Sequence, residues 1–135
     1  VRRQFNLDSD DEQYMDAKGY HWETIIEGKK LWLLVSHFPI PPGYNVTEAT
    51  LAVQFPSLDY LRQGLDMCYF TPALSRADNK SIAQVNVVEQ IDGRAFQRWS
   101  RHRTSQAPWD PGNDSLVTHL LLIEQWLRRE FERVK

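Results

Sequence analysis

The strongest periodicity in the chain lies near its end, where Leu116, Leu120, Ile123, Leu127 and Phe131 recur at helical spacing with His119 and Trp126 beside them. Asn113-Asp114-Ser115 supplies a cap ahead of the run. The spacing predicts a helix from Ser115 to about Val134, roughly 30 Å long at a rise of 1.5 Å per residue, enough to cover one face of a four-stranded sheet. Thr47 to Phe55 follows a different rule. Ala49, Leu51, Val53 and Phe55 fall on one side, and Glu48, Thr50 and Gln54 on the other, which is the alternation of a half-buried antiparallel strand. Earlier, His21–Ile26 and the apolar run Lys30–Phe38 form a hairpin pattern through Glu27-Gly28-Lys29, and Pro39, Pro41, Pro42 and Gly43 stop its second strand. Leu65–Phe70 starts a fourth strand that ends before Thr71-Pro72.

The remaining segments read as connections and one helix. Asp8–Lys18 is a short acidic helix, capped by Asp8 or Ser9 and ended by Gly19, and its few apolar residues place it on the outside. Ser75–Lys80 is a polar turn, Ile82–Ile91 an interrupted strand-length run, and Asp92-Gly93 a turn leading into an arginine-rich segment. The order predicts an α+β domain: an antiparallel four-stranded meander packed against a short N-terminal helix and a long C-terminal one. Residues 1–135 make a single domain, with 1–7 as a flexible tail.

Composition narrows the function classes. A net charge of −2 leaves no global field to draw the protein to nucleic acid or an anionic membrane, so electrostatic recognition has to be local. No apolar run is long enough to span a membrane, and Val1–Gln13 lacks the apolar centre of a signal peptide, so the expected location is the cytoplasm. Cys68 is the only cysteine, which excludes an internal disulfide and a cysteine-rich zinc site. His21, His37 and His119 lack ligand spacing, and no metal or cofactor is expected.

The local field is concentrated between Arg94 and Gly112. Arg94, Arg98, Arg101 and Arg103 crowd there with Phe96, Trp99 and Trp109, in what reads as a long surface loop. Arginine forks bind carboxylates in bidentate fashion, so Arg94, Arg98, Trp99, Arg101, Arg103 and Trp109 form the candidate partner-binding set. Internal pairing with Asp92, Asp110 or Glu124 is the competing explanation. Trp109 and Pro111 also serve simply to anchor the segment.

Two landmarks carry a resemblance. LAVQFPSLDY, from Leu51 to Tyr60, looks like a strand and turn of ubiquitin-conjugating folds, and the Trp109-Asp110-Pro111 corner before a capped helix is similar to the Trp-x-Pro that follows their active site. Together with PPGYNVTEATLAV, LDMCYFTPAL, FQRWSRHRT and WDPGNDSLVTHLLLIEQWL, they make the chain resemble prokaryotic family E of the ubiquitin-conjugating (UBC-like) superfamily. The resemblance runs from about Gly19 onward. It implies a UBC-like fold and a ubiquitin-like partner protein, often built as tandem modules in bacteria. It further implies an adenylating activating enzyme and a metal-dependent isopeptidase in the same pathway.

The family's chemistry is where this chain departs. A carrier stores the acyl group on a thiolate and needs a donor for the oxyanion. The usual cysteine position falls at Arg101 when counted back from Trp109, or near Phe96 when counted from Gly93. The His-Pro-Asn element is replaced near Ser75–Asn79. Two other groups are candidates: Cys68, flanked by Met67 and Tyr69 on a strand, and His102, whose neighbours Arg101 and Arg103 favour the neutral ring. The expected function is therefore that of a ubiquitin-conjugating-like binding and positioning module without the standard cysteine. An active carrier using Cys68 or His102 is the alternative, and single-strand nucleic-acid binding with Phe96 and Trp99 as stacking surfaces is a third, which the acidic balance disfavours. No Ser-His-Asp constellation, paired carboxylate motif or phosphate-binding glycine loop suggests a hydrolase.

Overall fold

The structure is a computed structural model, and it describes residues 1–133. In chain order the elements are α1 (Ser9–Ala17), β1 (His21–Glu27), β2 (Lys30–Pro39), β3 (Glu48–Phe55), α2 (Tyr60–Gln63), β4 (Cys68–Thr71), β5 (Val88–Ile91), β6 (Arg94–Trp99) and α3 (Leu116–Arg133). The strands form one antiparallel sheet in the order β1-β2-β3-β4-β6-β5. The predicted meander is its first four strands, and the α+β layout with a short first helix and long last helix is as expected. Six strands replace the expected four.

Of the two extra strands, β5 lies in the interrupted run Ile82–Ile91, and β6 in the arginine-rich segment, which is a loop only from Ser100 onward. Asp92-Gly93 is the two-residue turn of a β5–β6 hairpin, with both residues at positive φ (53° and 73°) as this turn type requires. Beyond it the side chains alternate: Phe96 joins the core on one face of the sheet, and Trp99 the core on the other. Gln97 and Arg98 between them, with Arg94 before, hide the period-two burial of a strand. Of the run Ile82–Ile91, only Val88–Ile91 is strand.

One face of the sheet meets the helices. Leu33, Val35, Leu51, Val53, Phe55, Cys68, Phe70 and Trp99 pack with Leu116, Leu120, Ile123 and Leu127 of α3. The helix begins one residue later than expected, and its expected end at Val134 lies outside the described residues. α1 is not merely external: Met15 is fully buried, and Asp11 is buried as well. Asp11 accepts hydrogen bonds from the Tyr60 hydroxyl (2.6 Å) and the backbone N–H of Leu116 (3.3 Å), so it ties α1 to the start of α3.

The other face has a smaller core of Ile25, Trp32, Leu34, Ala52, Tyr69, Ile91 and Phe96. Trp32 and Phe96 are almost wholly buried because the sheet curls until its two hairpins meet. Arg2 bridges Glu23 and Asp92, Glu27 accepts from the Asp92 backbone N–H, and Lys30 pairs with Glu89 at 2.8 Å. Residues 1–7, expected as a flexible tail, run along β1. Phe5 and Leu7 are buried, and Arg3 forms a parallel bridge with Thr24.

Candidate functional site: a groove beside the Trp109 corner

Trp109 positions the site. Its indole N–H donates to the Leu61 carbonyl (2.9 Å), fixing the 100–115 loop against α2. Gly64 is required at this contact: its φ is +100°, and a Cβ there would lie 2.9 Å from Trp109 Cγ. Arg103 stacks over the Trp109 ring at 4.8 Å, with its Nη1 3.6 Å from Asp114. Asp114 in turn accepts from the Asp110 backbone N–H (2.8 Å). The corner is thus held from both sides before α3 begins.

Between these segments opens a groove of about 370 Å³, lined among others by Gln63, Gly64, Asp66, His102, Arg103 and Trp109. His102 is exposed, and its Nδ1 lies 2.7 Å from Asp66 Oδ2. Its Nε2 has no hydrogen-bond partner among the described residues. Arg103 contributes positive charge to the same wall. Its Nε and Nη2 are buried without partners among the described residues, a costly arrangement for a cation.

The other members of the arginine set go elsewhere. Arg101, at the position counted as the family cysteine, donates to the Ala83 carbonyl (2.8 Å) and pairs at 3.5 Å with Glu130, which is buried near the end of α3. It also lies 4.8 Å over Trp99. Glu130 is further bonded to Arg133. Arg98 donates to the Ser100 hydroxyl (3.0 Å), and Arg94 sits at the β5–β6 turn, 5.3 Å over Phe96. Internal pairing does occur, but with Glu130 and Asp114 rather than Asp92, Asp110 or Glu124.

Trp99 is fully buried, with its N–H donating to Gln97 (2.9 Å), and Phe96 is fully buried on the opposite face. Neither presents a ring on which a nucleotide base could stack, so the aromatic half of the nucleic-acid expectation has no surface to act from. Of the six predicted partner-binding residues, the groove brings together Arg103 and Trp109 with His102. Asp66 and Gly64 had no pattern in the sequence that singled them out.

Cys68 lies on the helix-facing side of β4 and is fully buried. Desolvation pushes its thiol well above the usual range, only weakly opposed by Arg101. A sulfur in that state is neither ionised near neutrality nor reachable by an acyl donor. His119 is also fully buried; its Nε2 is 2.9 Å from the Met67 carbonyl, while Nδ1 has no partner among the described residues. Burial lowers its pKa to about 4. His21 and His37 are exposed neighbours, with ring centres 6.1 Å apart. Among the described residues no three His, Cys, Asp or Glu side chains are grouped as a metal site would need, and no helix is long and apolar enough to cross a membrane.

In place of the His-Pro-Asn element is a buried arginine. Arg76, expected in a polar turn, donates to the Glu130 carbonyl (3.1 Å) and to Asp78, and stacks 4.7 Å over Phe131. Its charge is consumed inside the fold.

A sheet of this order under a long last helix, with a Trp-x-Pro corner before it, suits the ubiquitin-conjugating architecture, and the model of Prokaryotic E2 family E matches residues 7–130. The chain belongs to that family. Membership supports a ubiquitin-conjugation-like role and, in general terms, ubiquitin-like pathway partners. Comparisons with curated proteins and with solved structures found no match.

Proposed function

We propose that this family E protein is a binding and positioning module for a ubiquitin-like protein in a bacterial, cytoplasmic conjugation pathway, with no acyl-carrying thiol of its own. One observation carries this reading. The position counted as the family cysteine holds Arg101, bound internally to Glu130 and Ala83, while the single thiol, Cys68, is sealed beneath α3. The groove beside Trp109 remains open to a partner, and Arg103 gives it the charge to attract a carboxylate-ended tail. An adenylating activator and a metal-dependent isopeptidase complete the pathway in this reading.

The test is to incubate the purified protein with the cognate activator, ATP and ubiquitin-like protein. We expect no covalent adduct, together with non-covalent binding that Arg103→Ala weakens. A reductant-labile adduct of full stoichiometry overturns the reading. A reductant-resistant adduct that His102→Ala abolishes does so too, and makes the protein a carrier acting through imidazole.

A further inference from the structure

We propose that His102 and Asp66 form a general base that acts in trans, promoting transfer of an acyl group from a thioester on a partner protein's cysteine to an amine. This rests on the reading above and adds a reaction to it. An imidazole whose Nδ1 is bonded to a carboxylate keeps Nε2 as a proton acceptor, and imidazole is the side chain that exchanges protons near neutrality. Here the bond is 2.7 Å, and Nε2 is free at an open groove. Arg103 lines the same groove and adds positive charge to its wall.

An exposed histidine–aspartate pair is often no more than a weak surface contact. Placement argues otherwise. Both residues belong to segments that the Trp109–Leu61 bond and the Gly64–Trp109 contact hold together, and both line the groove beside Trp109 rather than an isolated patch of surface. The other imidazoles are less suited: His119 is buried, and His37 bonds Glu48 through Nδ1 at a separate pocket.

In the step, a free amine attacks the carbonyl carbon of the thioester. His102 Nε2 takes the proton that the nitrogen sheds as the C–N bond forms. The C–S bond then breaks, its electron pair leaves on sulfur, and the imidazolium returns the proton to that thiolate. Amide and thiol are the only products. Asp66 is a positioning residue, holding the ring's tautomer and stabilising the imidazolium.

The probe is a glycine-ended peptide thioester of an aliphatic thiol, with lysine as the amine and the full chain as catalyst. We expect acceleration over buffer that His102→Gln lowers by about 10²-fold, within the usual range for a general base. Asp66→Asn should lower it similarly, with the melting temperature unchanged and the imidazole nitrogen resonances showing loss of the Nδ1–H tautomer; Asp66→Glu should recover part of the rate. Equal rates for the native protein and His102→Gln overturn the inference. If the ubiquitin-like protein still binds the groove in that case, the base alone is lost and the positioning module stands. A rate that depends on a reductant-labile adduct to the chain instead overturns the module reading.

Discussion

Gly64 and Cys68 lie close in sequence, and each has a consequence that a single substitution measures. Gly64 occupies backbone space that side chains rarely enter, and an added Cβ would press on Trp109. Gly64→Ala should therefore destabilise the fold by about 1–3 kcal/mol and displace the 100–115 loop, read as a lower melting temperature and a shifted Trp109 indole N–H resonance. For Cys68, burial and a raised pKa predict kinetic silence. The native protein should resist a thiol reagent that labels it promptly in denaturant, and fast labelling of the folded chain at neutral pH would contradict the burial.

At this scale the sequence was informative about residue type and less so about residue placement. His102 and Trp109 stood out because their chemistry is rare and their neighbours distinctive. Asp66 did not, since its role depends on a loop 36 positions away in sequence. Arg101 was legible as the occupant of the cysteine position, but not as the partner of Glu130, because pairing across the fold leaves no local pattern.

Among elements, α3 and β3 were readable because their apolar residues follow the period of the backbone, and β1 and β2 because apolar runs are cut off by Gly28 and by Pro39, Pro41 and Pro42. β6 was not, because Gln97 and Arg98 separate its two buried aromatics, Phe96 and Trp99, which serve opposite faces. α1 was misplaced to the outside for a related reason: the residue that buries it most informatively is a carboxylate. Asp11 accepts from Tyr60 and from the first turn of α3, satisfying amide groups that have no partner within their own helix. Asp11→Ala should cost about 1–3 kcal/mol, the range for leaving buried donors unpaired, and should raise hydrogen exchange at the start of α3. Desolvation raises the Asp11 pKa despite the opposing hydrogen bonds. Its ionised form is thus disfavoured by folding. As pH falls through the raised folded value the penalty relaxes, and Asp11 adds stability on acidification until the unfolded value is passed.

For the whole molecule, Asp11 and the charges that close the curled sheet pull the acidic limb of the stability curve in opposite directions. Hydrogen bonds from Arg2 lower Glu23 to about 2 and also lower Asp92. For these two the sign is opposite to that of Asp11. Their stabilisation is complete above the unfolded carboxylate range and is lost as pH falls through the folded values, so it declines from about pH 4.5 toward 2. The Arg2 side chain is 41% exposed and its partners 29% and 25%, so solvent screening leaves a modest net contribution on the order of 1 kcal/mol. Arg2 nevertheless joins the first residues to both hairpins, beside the contact that shields Trp32 and Phe96. Arg2→Ala should therefore do three things together: lower the melting temperature at pH 7, flatten the loss of stability between pH 4.5 and 2, and remove most of its dependence on salt. A variant whose pH profile merely shifts downward in parallel would show that the hairpins are held by the apolar contact alone, with Glu23 and Asp92 titrating as free surface acids.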